Sequence, residues 1–227
     1  MKSIKRYETI INEALRSVLE YDTPEGQINE FISFFGKHIG ADRIYIFEDD
    51  VESHVTNNTY EWCAEGIQPQ IDDLQGVNME VIDWWYDSFN EGKSVTISDV
   101  EELKGVHQVS YNMLCYQKVH NVVVSPLRHK GQIRGFFGVD NPPEGDYTAL
   151  TLFLDMIGTM LISFLKIRNT FQKEQYNASM SSYSALSEIY LCMHLINIKT
   201  GKYEEIKNAK HVEKECEELD QENFSKR

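Results

Sequence analysis

One stretch constrains the fold more than any other: Asn121 to Pro142, NVVVSPLRHKGQIRGFFGVDNP. Val122, Val123 and Val124 are β-branched and suit a pleated surface. The polar run Arg128-His129-Lys130-Gly131-Gln132 ends that strand, and Gly131 can adopt the positive φ a tight hairpin needs. Ile133 opens the return strand. Asp140-Asn141-Pro142-Pro143 closes it, because proline cannot donate to a ladder. Both parities of the return strand carry apolar bulk, with Ile133, Phe137 and Val139 on one side and Phe136 on the other. A strand apolar on both faces is covered on both faces. The hairpin is therefore expected at the centre of its sheet, with the rest of the chain packed around it.

The preceding chain reads as helix, helix, strand, strand, short helix, strand, helix. Ile4, Tyr7, Ile11, Leu15 and Val18 recur at helical spacing over residues 3–20. Thr23 is a candidate cap and Pro24 a first helical residue for a second helix that Gly40 stops. RIYIFE at 43–48 and TYEWCA at 59–64 are strands, with 49–58 as a long polar tip. Met79 to Phe89 is a short amphipathic helix, 94–97 a strand, and Asp99 and Tyr111 each begin a helical stretch. Beyond the hairpin, Tyr147 to about Gln175 is one long helix. Leu150, Leu154, Ile157, Leu161, Phe164, Arg168 and Phe171 alternate spacings of four and three, close to a heptad seam. A second stripe, Leu152, Met156, Met160 and Ile167, needs a partner of its own. A second copy of the chain is the economical one, since an apolar face that size is seldom left in water.

The Ser-rich residues 171–187 read as a helical linker. From residue 188 the chain returns to strand character, IYLCMHLINI, a turn at Lys199-Thr200-Gly201, and KYEEI, followed by a charged helix. This tail is too small for a core of its own. A truncated second domain over 188–227 is the expectation.

Size and charge exclude several classes of function. The 227 residues suffice for one full domain plus extensions, and a net charge of −14 repels nucleic-acid phosphates. No uninterrupted apolar run reaches roughly 18 residues, so no membrane insertion is expected. Cys63, Cys115, Cys192 and Cys216 form no C-x-x-C. With no export signal they read as free thiols of a cytoplasmic protein. The acidic tip Glu48-Asp49-Asp50 with Glu52 and His54 lacks the glycine and glutamate positions of an EF-hand. It reads as a solvated turn. Gly131, Gly135 and Gly138 are spaced for a hairpin, not for a phosphate loop. Asp140, before Asn141-Pro142, reads as an Asx-turn residue.

A mostly antiparallel sheet, with the terminal helices on one face and loops and short helices on the other, accounts for the order of elements. This α+β arrangement resembles the GAF domain, a small-molecule sensory fold, over residues 25–170, with residues 1–24 as an added helix. The resemblance is carried by GADRIYIFE (40–48), TYEWCAEGI (59–67), SVTISDVEEL (94–103) and VVVSPLRHKGQIRGFFGVDNP (122–142). It implies a regulatory sensory module whose long helix relays a signal, through a homodimer, to an output outside this chain. The nearest resemblance is to input domains of GGDEF diguanylate cyclase-type proteins, and the tail resembles the opening hairpin of a PAS-like module. Trp62, Trp85, Tyr111, Tyr116, Gln117, Ser125 and Phe137 fall in elements that would line a ligand pocket in such a fold, and Arg128 is a further polar candidate. An ordinary filled core is the competing reading of the aromatics.

No motif names a cofactor. The pattern of cyclic-nucleotide-binding members is absent. The nearest Cys-His combination that could suggest bilin attachment, Cys192-Met193-His194, lies beyond the domain. The enzymatic alternative is a free methionine sulfoxide reductase-like protein using Cys63 or Cys115.

Overall fold

The computed structural model describes residues 2–143, 147–187, 192–196 and 203–208. The expected C-terminal helix, the turn at Lys199 to Gly201 and Cys216 lie outside them. The chain divides into two compact units, residues 1–168 and 169–227.

In the first unit, α1 (Lys2–Ser17) continues into a 3-10 turn (Val18–Glu20), and α2 (Pro24–Ile39) follows. Both signals for α2 act as expected. The Thr23 hydroxyl accepts from the Gly26 amide at 3.2 Å, and Gly40 ends the helix at φ 78°. Six strands form one antiparallel sheet in the order β3-β2-β1-β6-β5-β4. They are β1 (Arg43–Asp50), β2 (Val55–Cys63), β3 (Val77–Asn78), β4 (Val95–Ile97), β5 (Val122–His129) and β6 (Gln132–Asp140). The hairpin β5–β6 lies inside the sheet, with β6 between β1 and β5. Its turn has positive φ at both Lys130 and Gly131, the geometry that follows the right-handed twist of two paired strands.

The long polar tip expected at 49–58 is shorter. The ladder runs out to Asp50 and Val55, leaving 51–54 as the turn. Two donors of its buried Asn58 are bonded: the side-chain amide donates to Glu61 at 3.2 Å, and the backbone amide donates to Leu74 O at 3.0 Å.

Strand alternation builds two cores. Ile44, Ile46, Val123, Phe137 and Val139 face α1, α2 and α5 (Tyr147–Ser187). Tyr45, Phe47, Val122, Val124 and Phe136 face α3 (Asp83–Asn90), α4 (Gln108–Tyr116) and their flanking 3-10 turns. One residue leaves its expected face. Ile133 packs with the Phe136 core, because the β5–β6 register shifts between Pro126 and Arg128.

The buried seam of α5 is Leu150, Leu154, Ile157, Leu161, Leu165 and Arg168. Its steps of four, three, four, four, three follow the period of a straight helix, about 3.6 residues, rather than the coiled-coil value of about 3.5. Leu165 therefore replaces Phe164 in the seam. An 18-residue window of α5 has a mean hydropathy of 1.8, long and apolar enough to cross a membrane by composition. Packing of its seam on the sheet buries 39% of that window. Leu152, Met156 and Ile167 are exposed on the other side.

Two polar clamps hold α5 to the sheet. Ser94 Oγ and Ser125 Oγ both donate to Asp155, and Arg168 grips Glu48 through two bonds of 2.7 Å. Arg168 also donates to the Tyr60 hydroxyl at 3.3 Å and lies over that ring. Arg168→Met is expected to cost about 1.5–3 kcal/mol in urea denaturation, because it strands a partly buried carboxylate. Arg168→Lys should recover less than half, since an ammonium cannot form the two-pronged contact.

The helix α5 continues through Ser187 into the second unit, and the Ser-rich stretch read as a helical linker is helical. That unit also contains the antiparallel ribbon β7 (Cys192–Ile196) and β8 (Tyr203–Asn208), with Ile196 opposite Tyr203.

Candidate functional site

Between the sheet and α3–α4 lies a cavity of about 40 Å³. Alternation on β1 sends Arg43, Tyr45 and Phe47 to it. The matching parity of β6 sends Phe136 and Asp140, and β2 contributes Glu61. The opposite wall is Ile82, Trp85, Met113, Leu114 and Gln117. The rings gather around Phe136, with Phe47 stacked at 4.7 Å and Trp85 edge-on at 5.6 Å. Gly138 allows Tyr45 to lie flat on β6, since a Cβ there would meet the ring at 2.2 Å.

One end of the cavity is charged. Arg43 is 3% exposed. Its Nη1 donates to Asp140 Oδ2 at 2.8 Å, its Nη2 donates to Gln68 O at 2.9 Å, and its Nε lies 3.3 Å from Glu61. Glu61 is saturated: its Oε2 accepts the backbone amides of Gln70 and Ile71 at 2.8 and 3.1 Å. It thereby pins the loop after β2. Asp140 is not saturated. Its Oδ1 has no hydrogen-bond partner, and neither has Trp85 Nε1. Burial pushes the Asp140 carboxyl up to about 6, against the pull of the Arg43 guanidinium. Burial, followed by the charge of Asp140, also raises the Tyr45 phenol well above its usual range.

The turn role expected of Asp140 belongs to its neighbour. Asn141, at φ 48°, accepts the His120 amide at 2.7 Å and donates to Asp42 at 2.8 Å. The side chain of Asp140 is committed instead to the ladder-opposite Arg43.

Of the residues singled out from sequence, Trp85 and Gln117 line the cavity. Trp62, Ser125 and Phe137 lie on the other face of the sheet. The Trp62 ring covers Gly36, Phe137 packs on Phe35, and Ser125 binds Asp155. Tyr111 donates to Glu101 at the surface, and Tyr116 is 81% exposed. Arg128 sits opposite Ile133 near the hairpin turn, away from the cavity lining. Sequence reading passed over Arg43, Tyr45, Glu61 and Phe136 as site residues and gave Asp140 a turn role instead. The available signal was an arginine opening an apolar strand and an aspartate closing another, which antiparallel pairing can set side by side.

The acidic tip disperses. Glu48 holds Arg168, Asp49 accepts from the Tyr86 hydroxyl at 2.7 Å, and Asp50 accepts from Ser53 within its own turn. Among the described residues no group of three potential metal ligands assembles. Cys63 stands opposite Arg43 in the ladder. Burial and then Glu61 raise its thiol, with Arg43 opposing, so it is a poor source of thiolate. Cys115 is exposed.

The same arrangement of sheet and helices occurs in solved structures. A GAF domain of a phosphoenolpyruvate-protein phosphotransferase from Coxiella burnetii superposes with a TM-score of 0.58 at 11% identity, covering 75% of this chain and 98% of that one. The fold is the GAF fold. A protein with bound biliverdin IXα, in its far-red absorbing dark state, matches this GAF fold with a TM-score of 0.57 at 13% identity, over 70% of this chain and 99% of its own. Free methionine-R-sulfoxide reductase from Neisseria meningitidis, in complex with its substrate, matches with a TM-score of 0.55 at 12% identity, over 74% and 92%. No protein-family model and no curated protein matches the sequence.

Proposed function

We propose that this chain is a sensory GAF module. It takes a small molecule in the cavity beneath α3 and α4 and relays occupancy through α5, across a homodimer, to an output. The observation that supports the relay most directly is the double use of one strand. On β1, Tyr45 and Phe47 form the cavity wall, and the next residue, Glu48, holds Arg168 of α5. A shift of β1 on ligand entry therefore acts on the helix clamp without an intermediary. A ligand biases such a relay only if it binds the two helix arrangements with different affinity.

The cavity admits about three water-sized groups. Sites for large ligands enclose roughly 300 Å³ or more, so a tetrapyrrole such as biliverdin would need the wall of α3 and α4 to move away. The exposed stripe Leu152, Met156 and Ile167 supports the dimer. The output favoured by sequence resemblance is a diguanylate cyclase, with the β7–β8 ribbon as the opening of a PAS-like module.

The dimer is tested by mass in solution, with Met156→Glu as the probe because it touches neither the seam nor the cavity. We expect a dimer for the unaltered chain, and a monomer with unchanged far-UV circular dichroism for the variant. A monomeric unaltered chain rejects the relay as stated. The reductase alternative requires turnover of free methionine sulfoxide. Activity lost on Cys63→Ser or Cys115→Ser would replace the sensor reading, but the raised Cys63 thiol favours no turnover.

A further inference from the structure

The charged groups around the cavity are turned away from its space. Arg43 is engaged by Asp140 and by Gln68 O, and Glu61 takes the backbone amides of Gln70 and Ile71. Asp140 also accepts from the Tyr45 phenol. All three charged side chains are at most 3% exposed. The atoms left without partners, Asp140 Oδ1, Trp85 Nε1 and Arg43 Nε, are buried below the reach of an entering molecule.

What faces the space is carbon and sulfur: the rings of Phe47, Trp85 and Phe136, the side chains of Ile82 and Leu114, and the Met113 thioether. Leu74, Val77, Met113 and Gln117 are partly exposed lining residues, so the way in is apolar as well, save for one amide. A polar molecule that enters gives up its hydrogen bonds to water and finds none in return. An apolar molecule has no such bonds to lose. Polarisable rings and a thioether reward it with dispersion contacts.

Resting on the sensory reading of this cavity, we propose that its ligand is an uncharged apolar molecule of about three heavy atoms, a short hydrocarbon or a species equally free of hydrogen-bonding groups. It lies against Phe136 and Leu114 and acts on α5 by displacing Phe47. The β1–β2 register shifts between Ile46 and Phe47, so the ladder is already interrupted beside the residue that must move. The next residue, Glu48, carries the clamp to Arg168. Polar molecules of the same size are excluded by the cost of losing their water, and larger apolar ones by volume.

The test is a titration of the full chain followed by the methyl resonances of two residues, Leu114 in the cavity wall and Leu165 in the buried seam of α5. The probes are cyclopropane, formamide as a polar molecule of matched size, and benzene as a larger apolar one. Cyclopropane is expected to shift both resonances saturably with one midpoint, about tenfold or more below that of formamide. Benzene should shift neither. Leu114→Phe, which fills the space, should abolish the Leu165 response. If that variant does not fold, Met113→Phe at the partly exposed wall should weaken the response about tenfold. Binding of formamide or benzene as tight as that of cyclopropane, or no response to any probe, overturns the small apolar ligand, and the relay then stands or falls on the dimer measurement alone. A Leu114 shift with Leu165 unmoved means adventitious filling of a packing void only, and overturns it as well.

Discussion

Gly135→Ala is expected to lower stability by about 2–5 kcal/mol, combining backbone strain with overpacking. Gly135 sits in β6 at φ 138°, a conformation that L-residues rarely adopt, and a Cβ there would stand 1.9 Å from Phe47 O. It pairs with Glu48 in the central ladder, so relief by backbone movement would also disturb the carboxylate that grips Arg168. Gly131→Asn is the control. Gly131 has φ 77° with nothing within 4 Å of its Cβ position, and asparagine tolerates the left-handed region of a hairpin turn. That change should cost under about 1 kcal/mol. Urea midpoints for the two variants decide the matter: equal shifts would mean that the close approach of β6 to β1 is wrong.

Arg43→Met removes the only cation among two buried carboxylates, and a loss of about 3–5 kcal/mol is expected. The loss should depend on pH in a stated direction. In the folded protein Asp140 is already raised from 3.8 to about 6, and without the guanidinium its proton affinity rises further. A folded pKa above the unfolded value penalises the native state when the group is charged. The penalty is full above the folded pKa and shrinks as pH falls through it. The variant should therefore recover part of its deficit between about pH 8 and pH 5.5, measured as the difference in urea midpoint from the unaltered chain at each pH. Arg43→Met with Asp140→Leu should recover most of it at both, since replacing a buried pair by apolar groups is often neutral. A deficit that is constant with pH would place Arg43 outside any buried charge network.

Much of the fold could be read from residue order because its signals are local. The β-branched run Val122 to Val124, the Lys130-Gly131 turn and the prolines after Asp140 announce the central hairpin. Thr23-Pro24 and Gly40 announce α2. Where an expectation slipped, a non-local partner decided. Val55 to Asn58 look like loop residues, but their backbone completes the ladder with β1, and Thr56 and Asn58 are buried in it. Phe164 fits a heptad pattern, but a helix lying straight on a sheet brings Leu165 inward instead.

The candidate site was less accessible, for a reason that lies in the geometry of strands. A one-residue change of parity moves a side chain through the sheet. Phe136 and Phe137 are equally aromatic, yet only Phe136 reaches the cavity. Trp84 and Trp85 are adjacent, yet Trp84 stacks on His107 while Trp85 lines the site.

The sequence alone determined the α+β class, the internal position of the hairpin and the two covers of its sheet, since periodicity and turn chemistry are properties of neighbouring residues. Only the tertiary structure decided that Arg43, Glu61 and Asp140 meet. They are separated by 18 and 79 positions along the chain, and antiparallel pairing brings them together in a medium where a missing charge matters. The hairpin at the centre of the sheet therefore contributes more than a packing surface. Its last residue, Asp140 at the end of β6, is the buried carboxylate that Arg43 grips.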